Sequence, residues 1–246
     1  MSGTMLTNPF RFGGGGAYAA NGVNFDGTND YLTRGADLTG NADGKKGIIY
    51  FRFLLNGGDG ARQRFFHNTG PRFDIERRTG NTFRLVGKDS GGTIRFRADT
   101  VAAYTADATW HSFMASWDLA TAGSGSIYVD DVLDYNELTF TDATIDYTVA
   151  DHALGADAGG GSKINACIAD FYFNMAEYLD FSVTANRRKF TDASDKPVDL
   201  GSDGSIPTGT APIIFFSGVT STWHTDKGSG GGFTENGALT DCGTAP

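Results

Sequence analysis

Basic side chains are concentrated in the middle of the chain, where they could hold an anion. Residues 62–97 contain nine basic and three acidic residues, whereas the whole chain has a net charge of −9. A guanidinium group presents several fixed N–H donors, so it binds carboxylates and phosphates through paired hydrogen bonds. A solvated strand face is the alternative interpretation. The candidate contacts with an anionic glycan or an acidic protein partner are Arg77, Arg84, Arg95 and Arg97.

Aromatic side chains are the second candidate for ligand binding, because a ring presents a flat apolar face on which a sugar can stack. Trp223 and His224 lie in a glycine-rich stretch near the C-terminus and are the exposed candidates. Packing of this stretch by Trp223 is the alternative. Trp117 is expected in the core, and Trp110, at a position of opposite parity, should face the other way. The four histidines lack the spacing of metal ligands.

A calcium site is an open alternative near the N-terminal end. Asp26, Asn29 and Asp30 lie within five residues of each other and offer the oxygen ligands that Ca²⁺ prefers. The same residues also make ordinary β-turns. No full calcium-loop pattern is present, so the sequence predicts no cofactor with certainty.

The acidic residues argue against catalysis. A glycosidase needs two carboxyl groups on either side of the scissile bond. Only four of the 29 acidic residues are glutamate, no two of these glutamates lie close together, and there is no E-x-D-x-x-E pattern. A G-x-S-x-G motif is also missing. We therefore predict a protein that is not an enzyme, with glycan cleavage by carboxylates from distant loops as the weaker alternative.

Alternating apolar positions indicate the elements that must carry these residues. Ile49, Phe51, Phe53 and Leu55 share one face of a strand, and similar short patterns recur along the chain. Turns rich in glycine, aspartate and asparagine separate them. This pattern predicts an all-β fold, a two-sheet antiparallel jelly-roll sandwich. One short helix is expected over residues 185–190, capped by Ser182 or Thr184.

Composition sets further limits. A chain of 246 residues can bury a large core without disulfides. With only two cysteines, we expect Cys167 to be buried in a strand and Cys242 to be free. The negative charge disfavours nucleic-acid binding. No signal peptide and no apolar run of membrane-spanning length occur, so we expect neither classical secretion nor membrane insertion.

Three regions follow from the composition. Residues 1–19 are interpreted as a flexible N-terminal arm, in which Phe10 and Phe12 could dock on a neighbour and four glycines act as a hinge. Residues 20–218 form the sandwich. Residues 219–246 form a glycine-rich tail that packs on or near it.

Four segments resemble the concanavalin A-like lectin/glucanase superfamily, in its laminin-G/pentraxin-like branch. They are FDGTNDYL (25–32), TWHSFMASWD (109–118), SIYVDD (126–131) and IADFYFN (168–174). The resemblance covers about residues 21–218. It implies two curved, packed antiparallel sheets, and it raises the expectation of calcium binding. Members include lectins, glucanases and adhesion modules, so the fold alone does not decide the function.

Two later segments resemble those that follow such domains in virion proteins of tailed bacteriophages. The first runs over residues 185–218 and contains ANRRKF (185–190), KPVDLG (196–201) and PTGTAPIIFFSG (207–218); the second is TWHTDKGSGGGF (222–233). This resemblance implies a non-enzymatic virion surface protein, either a capsid decoration or head-fibre protein or a small tail-associated one, which could also adhere to glycans. It would be made in the host cytoplasm, contact other virion proteins and form a homo-oligomer, a trimer by analogy. The alternative is a carbohydrate-binding receptor module of a tail fibre, with or without calcium, that holds a cell-surface polysaccharide.

Overall fold

Two antiparallel sheets of eight strands each make up the protein. A computed structural model describes residues 18–246. Phe10 and Phe12 of the expected arm lie outside the described residues. The all-β, two-sheet jelly-roll architecture predicted from the sequence is confirmed.

Sheet A has the strand order β10-β9-β8-β3-β13-β1-β16, with β14 paired to β13. Its strands are β1 (Val23–Asp26), β3 (Lys46–Leu55), β8 (His111–Asp118), β9 (Gly125–Val129), β10 (Val132–Leu133), β13 (Asn165–Asn174), β14 (Ile214–Phe216) and β16 (Thr240–Asp241). The longest strands, β3 and β13, are neighbours at the centre of this sheet, and every residue of β3 after Lys46 is buried.

Sheet B has the strand order β11-β7-β6-β5-β4-β12-β2-β15. Its strands are β2 (Tyr31–Arg34), β4 (Gln63–Asn68), β5 (Phe73–Arg77), β6 (Phe83–Lys88), β7 (Ile94–Asp99), β11 (Asn136–Phe140), β12 (His152–Leu154) and β15 (Thr234–Asn236). The four strands β4 to β7 follow one another in sequence and in space. Residues 62–97, the basic middle of the chain, therefore lie together on one part of this sheet.

Aromatic rings fill the space between the sheets. Phe51 of sheet A stacks on Phe113 at 4.9 Å between centroids and on Phe65 of sheet B at 5.2 Å. Trp117 is fully buried, as predicted, and its Nε1–H donates to Tyr147 at 3.1 Å. Burying each large apolar side chain stabilises the fold by roughly 1.5–3 kcal/mol, so this core is the main source of stability.

A second apolar cluster covers the outer face of sheet A. Tyr50 and Tyr172 on the sheet pack against Phe190, with ring centroids 5.2 and 5.3 Å away. Phe181 and Leu200 from the same connecting segment are also buried in this cluster. The segment between β13 and β14 is therefore a cover for sheet A.

The helix of this segment is shorter than predicted. Helix α1 (Thr184–Arg187) is a single turn, and neither Ser182 nor Thr184 caps it, because Val183 is the N-cap and makes no side-chain hydrogen bond. After Arg187 the chain continues in hydrogen-bonded turns to Thr191, and these turns hold Phe190 in the second cluster. A further turn that we did not predict, α2 (Thr220–Trp223), precedes β15.

The C-terminal tail belongs to both sheets. It contributes β15 to sheet B and β16 to sheet A. Cys242 follows β16 and forms a disulfide with Cys167 of β13, so the expectation of a free Cys242 is wrong. The pairing of β16 with β1, which itself lies beside β13, brings the two Cα atoms to 6.0 Å. A single disulfide needs only this proximity, which spacing in the sequence does not show.

Candidate functional site

The outer face of sheet B carries charged side chains in two cross-strand rows, which we call the charged face. Strand pairing places Arg64, Glu76, Arg84 and Asp99 in one row. The second row contains His67, Asp74, Val86 and Arg97. Residues that are paired across antiparallel strands point to the same side of the sheet, so both rows face away from the core.

A cavity of about 150 Å³ lies on the charged face. Five cationic side chains and two carboxyl groups line it, which gives five minus two, a net charge of +3 when both carboxyls are ionised. Pro71, Val86 and Ile94 add apolar wall. The charged lining residues are Arg62, Arg64, Asp74, Glu76, Arg84, Lys88 and Arg97.

Ion pairs fix several of these groups in place. Arg84 donates two hydrogen bonds of 2.8 Å to the carboxylate of Asp99, from Nε and Nη2. Arg64 Nη1 donates to Asp74 Oδ2 at 2.5 Å, and Arg62 Nε lies 3.1 Å from Glu76. Since Asp74 and Glu76 are almost fully buried while the side chain of Arg62 is 53% exposed, the carboxyls form the floor of the cavity and Arg62 its rim.

Three buried polar atoms of the lining have no hydrogen-bond partner within residues 18–246. They are Arg64 Nε, Asp74 Oδ1 and Arg97 Nε. An unpaired buried polar group destabilises a protein by about 1–3 kcal/mol, so such atoms mark where a ligand gains the most by binding.

The pKa of the Asp74 carboxyl lies close to neutral pH. Burial, reinforced by the neighbouring carboxylate of Glu76, raises its pKa to about 7, although Arg64 opposes the shift. His67, paired with Asp74 across the strands, has its pKa lowered to about 4 by burial and by Arg64. Its Nδ1 accepts the backbone N–H of Ala158 at 3.1 Å, which fits the neutral ring.

Two of the four predicted arginines line the cavity, and two do not. Arg84 and Arg97 are lining residues. Arg95 pairs with Asp89 in the β6–β7 turn at 2.6 Å and lies outside the cavity.

Arg77 is a correction, because it points into the protein and is fully buried. Its guanidinium donates to the carbonyls of Tyr104 and Gly57 and to Gln63, and it pairs with Asp59. Arg77 shares strand parity with Phe73 and Ile75, so the alternation of β5 already assigns it to the inner face. It ties loops together and does not contact a ligand.

Trp223 is a second correction. The ring is fully buried and stacks on Phe216 with centroids 5.5 Å apart, so it packs the tail against the core. His224 lies beside it, with Nδ1 3.0 Å from Glu235, away from the charged face. Neither residue forms the exposed sugar platform that we expected.

The candidate calcium residues make a turn at the end of β1. Asp26 Oδ1 accepts the backbone N–H groups of Thr28 and Asn29 at 2.7 and 3.1 Å. Both carboxylate oxygens of Asp30 accept backbone N–H groups, from Asp26 and Ala238. These bonds show the β-turn that was the alternative interpretation, and calcium binding, which needs six to eight converging oxygen ligands, stays a prediction.

Neither a metal-binding cluster nor a membrane-spanning helix occurs within residues 18–246. No group of three or more histidine, cysteine or acidic side chains within residues 18–246 is arranged to hold a metal ion. No helix in this range is long and apolar enough to cross a membrane.

Sequence reasoning did not assign Arg64, Asp74, Glu76 and Lys88 to the site. All four belong to the basic middle of the chain, but their convergence depends on strand register. The short Thr-Gly-Asn turn between β5 and β6 was the available signal, because a tight hairpin fixes which residues stand opposite each other.

Comparison with known proteins bears on the fold. No protein-family model matches the chain, and no curated protein matches it in sequence. The heptameric SAP-like pentraxin of Limulus polyphemus aligns with a TM-score of 0.57 and 12% identity over 91% of this chain and 94% of that one. A Bacteroides ovatus protein provisionally assigned as carbohydrate-binding aligns with a TM-score of 0.58 and 8% identity, over 91% of this chain and 60% of that one. The chain has the concanavalin A-like fold.

A third alignment is weaker. Domains LG4–5 of the mouse laminin α1 chain align with a TM-score of 0.47 and 15% identity, over 68% of this chain and 45% of that one. At these identities structural likeness shows the fold alone. The pentraxin and Bacteroides ovatus alignments confirm the fold implied by the lectin-like segments, and the virion context stays a prediction.

Proposed function

We propose that this protein is a non-enzymatic binding protein that holds a glycan on the charged face of sheet B. The observation that carries the proposal is the cationic cavity of about 150 Å³, built on a rigid sheet with unpaired buried donors in its wall. A sheet supports such a site well because strand pairing fixes each side chain. The outer face of sheet A offers no equivalent, because the segment between β13 and β14 covers it.

The kind of ligand follows from the lining. Cationic side chains favour an anionic partner, and the small apolar wall of Pro71, Val86 and Ile94 suits the edge of a sugar ring. The Bacteroides ovatus neighbour, provisionally assigned as carbohydrate-binding, supports a glycan over an acidic protein partner. Strong aromatic stacking is not part of the proposal, since no aromatic side chain is among the lining residues.

Binding without catalysis is part of the proposal. Asp74 and Glu76 are the carboxyl groups that line the cavity, and arginines engage both of them. A glycosidase needs two carboxyl groups on either side of the scissile bond, whereas here both lie on the floor of the cavity with an arginine against each. The weaker alternative, glycan cleavage by this pair, predicts new reducing ends on incubation with polysaccharide.

A glycan array tests the proposal. We expect the wild-type protein to bind acidic glycans and the Arg97→Gln variant to bind them roughly tenfold more weakly. Arg95→Gln is the matched control, because Arg95 lies two residues away and outside the cavity. Repeating the array with a chelator tests calcium, and a reducing-end assay tests cleavage. Equal binding by both variants, or no binding to any glycan, would overturn the proposal.

A second candidate sets this binding activity on the surface of a bacteriophage virion, as a capsid decoration, head-fibre or small tail-associated protein. Its support is the resemblance of residues 185–218 and 222–233 to segments of phage virion proteins. The Cys167–Cys242 disulfide also suits a protein that works outside a reducing cytoplasm. Quantitative mass spectrometry of the purified particle tests it. Many copies indicate a capsid role, a few indicate the tail, and none contradicts the virion assignment.

Self-association is a further part of the proposal. Val132, Leu133 and Leu138 are exposed on β10 and β11, which are the edge strands of sheets A and B. Exposed apolar side chains on an unpaired strand edge favour pairing with another chain. A trimer, by analogy with virion proteins, is the expected assembly.

A further inference from the structure

The unpaired atoms of the cavity fall into two groups on the charged face. Arg64 Nη1 donates to Asp74 Oδ2, so Arg64 Nε and Asp74 Oδ1, which have no hydrogen-bond partner within residues 18–246, belong to the same ion pair. Arg97 stands opposite Val86, two strands away from Asp74 along the same row. Neighbouring strands are about 4.8 Å apart, so the two groups lie about 10 Å apart, roughly the length of a disaccharide.

The protonation state of Asp74 decides what the first group can bind. The charged and titratable groups that face it are Arg64 and His67 on β4, Glu76 on β5, Arg84 and Lys88 on β6, Arg97 on β7 and Arg62 before β4. A neutral carboxyl donates one hydrogen bond through its O–H, whereas the ionised form only accepts. His67 carries no charge near neutral pH, since its pKa is about 4. Asp74, with a pKa of about 7, therefore changes the cavity from net +3 to net +4 as the pH falls.

We propose that the cavity binds the carboxylate of an acidic sugar, and that Asp74 in its protonated form donates a hydrogen bond to that carboxylate. This inference rests on the proposed function of the charged face. Arg64 Nε–H donates to the same carboxylate, and Arg97 Nε–H donates to an oxygen of the adjoining sugar. A carboxylate is more basic than a sulfate ester, so it is the better acceptor for a carboxyl proton, and a carboxylated glycan is the ligand that the pair selects.

Deprotonation of Asp74 weakens binding of the sugar carboxylate in two ways. It removes the O–H donor, and it places a buried negative charge next to the incoming carboxylate. Because like charges at this separation repel strongly in a poorly solvated site, binding should weaken as the pH rises through neutrality. Uronate carboxylates remain ionised over this range, so the change belongs to the protein.

The test is calorimetric titration with a galacturonate oligosaccharide, a sulfated dextran oligosaccharide and neutral dextran. For the wild-type protein we expect the Kd for galacturonate to rise at least tenfold between about pH 5.5 and about pH 8.5. In Asp74→Asn the side chain stays neutral and keeps an N–H donor, so the Kd should be the same at both pH values. Asp203→Asn, an exposed aspartate in the cover of sheet A, should keep the wild-type dependence.

A second variant tests the same idea without changing Asp74. The Glu76 carboxylate raises the pKa of Asp74, so Glu76→Gln should move the midpoint of the pH dependence downwards. Galacturonate binding that does not depend on pH, or an unchanged pH dependence in Asp74→Asn, overturns the inference while leaving glycan binding in place. Tighter binding of the sulfated oligosaccharide also overturns it. Failure of all three probes at every pH contradicts the proposed function itself.

Discussion

Asp170 is a carboxyl buried in the outer face of sheet A, with one oxygen accepting the Tyr18 hydroxyl at 2.9 Å and the other unpaired within residues 18–246. Burial raises its pKa to about 7, although nearby Lys227 and Arg52 oppose this. Its φ of +49° lies in the left-handed region, which asparagine also tolerates. A neutral amide should therefore fit this position.

We predict that Asp170→Asn stabilises the protein at alkaline pH. A group whose pKa is raised by folding contributes stability below its unfolded pKa, and that stability is lost as the pH rises through the folded value. Between about pH 4 and about pH 8 the wild type should therefore lose about 2–4 kcal/mol more stability than the variant, which lacks this titration but keeps those of the other buried carboxyl groups. Urea unfolding at several pH values measures it. Asp142→Asn, on the exposed surface, is the control, and a less stable Asp170→Asn at high pH would contradict the prediction.

Arg77 is expected to matter for stability and not for binding. Replacing it with methionine removes hydrogen bonds to two backbone carbonyls and to Gln63, and leaves these acceptors buried. We expect a loss of about 3–5 kcal/mol in the free energy of unfolding. Arg78→Met is the matched control, because the side chain of Arg78 is exposed and its partner Asp99 keeps two hydrogen bonds from Arg84, so we expect a loss of at most about 1 kcal/mol. Equal effects of the two substitutions on urea unfolding would argue against a structural role for Arg77.

Among the elements, β16 depends most on a covalent bond. It pairs through only two residues with β1, and the disulfide closes a separation of 75 residues. Closing a loop of this length stabilises a fold by about 2–4 kcal/mol. We predict that Cys242→Ser lowers stability by this amount in urea unfolding and that a reducing agent then has no further effect. A wild-type protein that is insensitive to reduction would contradict this role.

Strands and their inward faces could be predicted from the sequence because alternation with period two reports the buried side directly, as in β3 and β8. The same rule assigns Arg77 to the interior. Pairing between distant strands could not be predicted, because β16 beside β1 depends on contacts more than 200 residues apart. The disulfide follows from that pairing, and so it was missed. Trp223 packs against Phe216, which the sequence offered only as the alternative to an exposed ring.

The candidate site could be predicted only in part, because strand register decides which charged side chains meet. Composition identified the basic region, and Arg84 and Arg97 do line the cavity. Which arginines are free and which are engaged depends on acidic partners supplied by register, such as Asp99 opposite Arg84. The selectivity of the site therefore lies in cross-strand pairs that a linear pattern does not show.

At the scale of the whole molecule, β10 is an edge strand of sheet A and β11 is an edge strand of sheet B, and only two residues of the chain separate them. Val132, Leu133 and Leu138 are 66%, 58% and 44% exposed there. We predict that the protein self-associates in sedimentation velocity experiments and that Leu133→Lys combined with Leu138→Lys gives a monomer. Ile206→Lys is the control, because Ile206 is similarly exposed but lies in the segment between β13 and β14 that covers sheet A. A wild type that stays monomeric at high concentration would contradict edge pairing.

The link between Cys242 and β13 also determines how the molecule carries a load. Tension applied beyond Cys242 does not peel β16 from the edge of sheet A, because the covalent bond passes the force to Cys167, in a strand held between β3 and β1. Pulling then acts on many hydrogen bonds at once and not on one pair at a time. A binding protein attached through this end would therefore keep its charged face intact while its ligand is dragged.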